Sequence, residues 1–165
     1  VVLELEAGDY YTNSNNPINL RENYRLIGES PESTIIHVDG SANGAFLNPG
    51  LNSRIENCTI QCGSKIAHCG VIFKNCIFEV NPIGTETVIA IDVEGRHNGS
   101  VLNCLFLDCR QVAHAGYDAV LNMTDCTIDG ANTGVVLESN ALGFVSSCIF
   151  NNDPSQAIID ISDTS

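Results

Sequence analysis

The run Asp92-Val93-Glu94-Gly95-Arg96-His97, with Asp118 further on, gathers side-chain types that acid–base chemistry uses. Hydrolysis of a glycosidic bond needs two carboxyl groups at a controlled separation, one protonating the leaving oxygen and one activating water or attacking. Asp92 and Glu94 are two apart and share a face if the segment is extended. Arg96 and His97 fall in the loop beyond, where binding groups are commonly carried by a rigid scaffold. The competing reading is a solvated acidic face. It is preferred, because the chain has 20 acidic residues against 7 basic ones and such side chains are mostly exposed. Asp92, Glu94, Arg96, His97 and Asp118 stand as ligand-binding candidates, and no catalytic residue is assigned.

His68 and His114 occupy equivalent places in "KIAHCG" and "QVAHAG". Stacked two strands apart they would be roughly 10 Å from each other. That is too far for one metal ion, whose ligands sit about 2 Å from it. Their counterparts further along are aliphatic, so both are read as core or rim histidines. Cys58 and Cys62 are separated by three residues, and no second close pair follows at zinc-finger spacing. No metal and no cofactor are expected. "NCT" at 57–59, "NGS" at 98–100 and "NMT" at 122–124 match glycosylation acceptors, but two overlap repeated turns and are read as coincidence.

The elements that must position these groups follow from the cysteines. Cys58, Cys76, Cys104, Cys126 and Cys148 each follow Asn, Asp or Ser, and each has Ile or Phe two places on. Their intervals are 18, 28, 22 and 22 residues. A period near 22 belongs to a solenoid. In a strand, Cys58/Ile60, Cys76/Phe78, Cys104/Phe106, Cys126/Ile128 and Cys148/Phe150 would all point inward. A second strand follows about ten residues after each cysteine, in "KIAHCG", "QVAHAG", "GVVLES" and "AIIDIS". In the 28-residue interval it is displaced to 87–95, with extra loop expected at 81–86 and 95–100.

The fold expected is all-β: a right-handed parallel β-helix of about seven coils of roughly 22 residues. One domain spans 1–165, with 1–23 as N-terminal cap or first coil, 24–152 as stacked coils and 153–165 as last strand or cap. The five repeat cysteines form a reduced internal ladder rather than disulfides, because small apolar thiols suit a narrow interior. The preceding polar residue favours the bend. Asn57, Asn75 and Asn103 could also bond one another as an amide ladder.

A formal charge of −13 opposes nucleic-acid and anionic-membrane binding, which need clustered Lys and Arg. No apolar run approaches a membrane span. The chain does not begin with Met, so a processed product or a piece of something longer is expected.

The opening forty residues resemble the first coils of the pectin-lyase-like superfamily. Gly8-Asp9-Tyr10, Leu26-Ile27-Gly28-Glu29, and Thr34-Ile35-Ile36 with Gly40 carry the resemblance. Together with the repeats it covers nearly the whole chain. It implies the β-helix, but the superfamily holds lyases, hydrolases, esterases, phage tailspikes and inert virion proteins. The polygalacturonase-like set of Asn-x-Asp, Asp-Asp and Gly-His-Gly is not present as a set. No arginine stands in an Arg-x-Pro setting, and the methylesterase segments are missing. Residues between the inward pairs, Thr59, Ile77, Leu105, Thr127 and Ile149, point outward with Leu107. That stripe is more apolar than a solvated face requires. Ile77, Leu105, Leu107 and Ile149 are the expected oligomer interface.

The resemblance to phage and viral β-helices implies a homotrimer. The expected function is a structural virion protein, such as a decoration, spike or fibre module, assembled in host cytoplasm and docking on other virion proteins. The alternatives are a polysaccharide-processing or glycan-binding β-helix facing a host-surface glycan, and a segment of a bacterial adhesin at the cell surface. Free thiols weigh against the adhesin, which would meet an oxidising space.

Overall fold

Asparagine before cysteine bends this chain. Asn57, Asn75, Asn103, Asp125 and Ser147 all have φ between 50 and 56°, the left-handed region. Asn and Asp are the non-glycine residues that reach it most readily. The bend stays within the backbone ladder, since the Asn57, Asn75 and Asn103 amides donate to Lys74, Leu102 and Thr124 carbonyls one coil on. The side chains stack as well: Asn75 Nδ2 donates to Asn57 Oδ1 at 3.2 Å, and Asn103 Nδ2 donates to Asn75 Oδ1 at 2.8 Å. The amide ladder expected from sequence is present.

A computed structural model describes residues 1–12, 18–38, 47–62, 70–80, 89–151 and 156–161. Strands before each bend form one seven-stranded sheet: β1 (Val2–Leu5), β4 (Arg25–Gly28), β7 (Ser53–Glu56), β9 (Val71–Lys74), β12 (Asn98–Leu102), β15 (Val120–Thr124) and β18 (Leu142–Ser146). Strands after the bends form a second: β2 (Gly8–Thr12), β5 (Thr34–Val38), β8 (Thr59–Cys62), β10 (Ile77–Val80), β13 (Leu105–Leu107), β16 (Thr127–Asp129) and β19 (Ile149–Asn151). A third holds β11 (Ile89–Val93), β14 (Gln111–Ala115), β17 (Thr133–Glu138) and β20 (Gln156–Ile161), and β3 (Ile18–Leu20) pairs with β6 (Leu47–Pro49). Neighbouring strands in all four sheets run parallel, for example β10 with β13, β12 with β15 and β14 with β17. The molecule is a parallel β-helix, with seven rungs in each of its two long sheets.

Register makes the core columnar. Ile36, Ile60, Phe78, Phe106, Ile128 and Phe150 lie opposite one another on consecutive rungs. Phe78 stacks on Phe106 at 4.7 Å, and Phe73 meets Phe78 edge-on at 5.0 Å. Cys58, Cys76, Cys104 and Cys126 are buried beside this column, and Cys148 is half-buried in the last described coil. None of the seven cysteines among the described residues is in a disulfide. One expectation is corrected: 95–100 is not all loop, because Asn98, Gly99 and Ser100 open β12 and pair with Val120, Leu121 and Asn122. The physical reason is Gly99, whose missing side chain leaves room for Val93. The expected loop at 81–86 lies outside the described residues.

Asn75→Ala should lower unfolding free energy by about 2 kcal/mol, combining loss of both amide bonds with an alanine forced into the left-handed region. Asn75→Gly keeps the backbone free and should lose about half as much. Urea midpoints of the two variants check this, and equal losses would contradict the left-handed contribution.

Candidate functional site

On the third sheet, Asp92 of β11 pairs in register with His114 of β14, and His114 with Val136 of β17. Two positions further along, on the same face, stand Glu94, Gly116 and Glu138. Gly116 opens the space between them. A Cβ there would lie 3.2 Å from His114 Cε1 and 3.6 Å from Glu138 Cγ. The His114 ring therefore bridges three coils, with Nδ1 2.6 Å from Asp92 Oδ1 and Nε2 2.6 Å from Glu138 Oε1.

Burial is graded along this triad. The Asp92 side chain is 0% exposed, that of His114 11% and that of Glu138 39%, so solvent reaches it from the Glu138 side. A neutral imidazole offers one N–H, so two hydrogen bonds to carboxyl groups require two protons shared over the three residues. A carboxylate buried as deeply as Asp92 needs a paired charge or strong hydrogen bonds, and His114 supplies them. Glu94 completes the cluster: one ligand atom each from Asp92, Glu94 and His114 lie within 4.8 Å of one another.

The five candidates do not come together as one site. Asp92 and Glu94 join the histidine cluster. Arg96 and Asp118 form a separate pair at 3.7 Å, with side chains 90% and 53% exposed, and a pair so solvated contributes little stability. His97 serves through its backbone, its amide donating to the Gly95 carbonyl and its carbonyl accepting from Val120. His68 lies outside the described residues.

Comparison of the chain with protein-family models, with curated proteins and with solved structures finds no match.

The site's chemistry must therefore come from its geometry. His114, expected as a core or rim histidine, is the centre of the cluster, and Glu138 was not among the candidates. The signal for both was the register of "QVAHAG" against "TGVVLE", read diagonally rather than straight across. The cluster suits proton sharing or cation binding. It does not suit glycoside hydrolysis in this arrangement, because the imidazole fills the space between the two carboxyl groups where a glycosidic oxygen and water would need to sit.

The second feature is the outer face of the second long sheet. Ile35, Thr59, Ile77, Leu105, Thr127 and Ile149 form one column in register. Thr59, expected to point out, does so but is buried, because the turn at 30–33 folds over it and Thr59 Oγ1 donates to the Pro31 carbonyl at 2.6 Å. Beyond that turn a groove of about 280 Å³ continues along Ile77, Leu105 and Thr127, walled by Asn75, Asn103 and Asp125. Ile77, Leu105 and Leu107 are half-buried, and Ile149 is 57% exposed. Leu107 stands in the adjacent column between Glu79 and Asp129.

Burial favours the protonated form of three interior thiols, Cys58, Cys76 and Cys126. Burial, with the Cys76 sulfur adding to it, pushes Cys58 up to about 12, against the pull of a hydrogen bond with the Gly28 backbone. Burial likewise pushes Cys126 up to about 11 and raises Cys76 well above the ordinary thiol value. Each repeat thiol donates to the carbonyl two residues back, as Cys58 does to Glu56 at 3.2 Å and Cys104 to Leu102 at 3.3 Å.

Proposed function

We propose that this protein is a structural module of a virion, a pectin-lyase-like β-helix of the non-enzymatic kind, acting through rigid self-assembly as a homotrimer. The observation that carries this reading is the uncharged outward column from Ile35 to Ile149. A chain with 20 acidic residues meets copies of itself most easily along an uncharged strip, here flanked by Glu79, Asp125 and Asp129. Its own 30–33 turn already covers that column at Thr59, and the groove beyond offers the same floor to another copy. Continuous parallel ladders supply the stiffness, since each rung is tied to the next through backbone hydrogen bonds.

The test is fractionation of virus particles on a density gradient with an antibody to this chain. The expected result is that the chain bands with intact particles and leaves them only when they are disrupted. A chain found only off the particles would overturn the virion assignment.

A second reading, a polysaccharide lyase rather than a glycoside hydrolase, draws on one observation, the proton-sharing triad of Asp92, His114 and Glu138. Incubation with a panel of uronic-acid polymers discriminates it. New reducing ends or unsaturated products, lost in Glu138→Gln, would favour chemistry over assembly.

A further inference from the structure

We propose that Asp92, Glu94 and His114 form a binding site for a first-row divalent transition-metal ion, with Glu138 orienting the histidine from outside the coordination shell. The sequence alone led to the opposite expectation, because His114 was compared with His68 and not with the carboxylates on neighbouring rungs. The proposal is independent of the assembly role, and either stands if the other fails.

Three observations carry it. The donor set is mixed, two carboxylates and an imidazole, on a rigid sheet whose register fixes Asp92 opposite His114. Their ligand atoms already lie within 4.8 Å of one another. An ion holding each ligand at about 2.0–2.2 Å gathers such atoms by side-chain rotation alone. Second, Glu138 Oε1 lies 2.6 Å from Nε2 on the far side of the ring. A proton held there leaves the Nδ1 lone pair facing Asp92 and Glu94. Metal-bound histidines are ordinarily held in this way, with the second nitrogen donating to a carboxylate. Third, the charge closes: a divalent ion with two carboxylates and a neutral imidazole has no net charge, which suits the buried position of Asp92. Imidazole nitrogen in the set favours zinc, cobalt or iron over calcium and magnesium, which take oxygen ligands.

Gly116 has a role in this arrangement. It keeps the column between Glu94 and Glu138 free of a side chain, so the ring has room to meet the carboxylates on both sides. The buried thiols do not compete well, since burial disfavours the thiolate that would bind metal.

Cobalt(II), then zinc(II), titrated into the whole reduced and chelator-treated chain, tests the proposal by absorption and calorimetry. The expected result is one equivalent of cobalt with ligand-field bands and no thiolate charge-transfer absorption, displaced by zinc. Glu94→Gln should weaken binding at least tenfold. Glu138→Gln should weaken it by about 10- to 100-fold at unchanged stoichiometry. Glu22→Gln, remote and exposed, should change nothing. Both test positions are only partly buried, so these variants keep the fold where Asp92→Asn or His114→Gln could lose it. No stoichiometric uptake, a thiolate band, or unchanged affinity in Glu94→Gln would overturn the site. Unchanged affinity in Glu138→Gln would overturn the orienting role.

Discussion

Phe78→Ala should destabilise the β-helix by about 4 kcal/mol, the largest expected loss for a single side chain here. Phe78 is fully buried, stacked on Phe106 and met edge-on by Phe73. Truncation removes the transfer free energy of the ring and leaves a cavity. The walls of that cavity belong to rungs held by parallel ladders on both sides, so they relax little. Phe150 provides the internal comparison. It occupies the same column in the last described rung, half-buried, and Phe150→Ala should lose less than half as much. Urea unfolding of the two variants checks the difference. Equal losses would mean the column is not packed rung upon rung.

The second large effect appears in alkali. A thiol whose folded value is raised binds its proton more tightly in the native state. Below about pH 9 the folded and unfolded chains are both protonated there, and stability is unaffected. From about pH 9 upward the unfolded thiols ionise, while Cys58 stays neutral up to about 12 and Cys126 up to about 11. Stability therefore falls across that window. The two thiols together should remove about 3–4 kcal/mol by about pH 11, below the arithmetic maximum because water at the coil edges screens part of the effect. Cys76 adds in the same direction. The double variant Cys58→Ala, Cys126→Ala should be weaker at neutral pH yet lose stability less steeply above pH 9. Urea-derived free energies against pH measure the slope, and an unchanged slope would sink the thiol explanation.

Much of this architecture could be read from the repeat itself, because inward and outward positions alternate with a period of two and the cysteine marks the phase. Phe78, Phe106 and Ile128 were placed inward on that ground, and the Asn57–Asn75–Asn103 stack followed from their equivalent positions. Straight-across equivalence also misled. It compared His114 with aliphatic residues on later rungs, whereas the contacts that matter run to Asp92 on the preceding rung and diagonally to Glu138 on the next. The covering of Thr59 by Pro31 joins a strand residue to a turn 28 residues earlier, and no local pattern announces it. Gly116 was legible only as a glycine, since the room it leaves matters through His114 two residues before it and Glu138 on the next rung.

The proposed assembly through the outer face is tested most directly by the mass of the unmodified chain in solution, measured by light scattering over a range of concentrations. The expected mass is about three times the 17.7 kDa of one chain, falling to a single chain in Leu105→Asp. A mass of one chain at every concentration, with Ile77, Leu105 and Ile149 left to solvent, would contradict it.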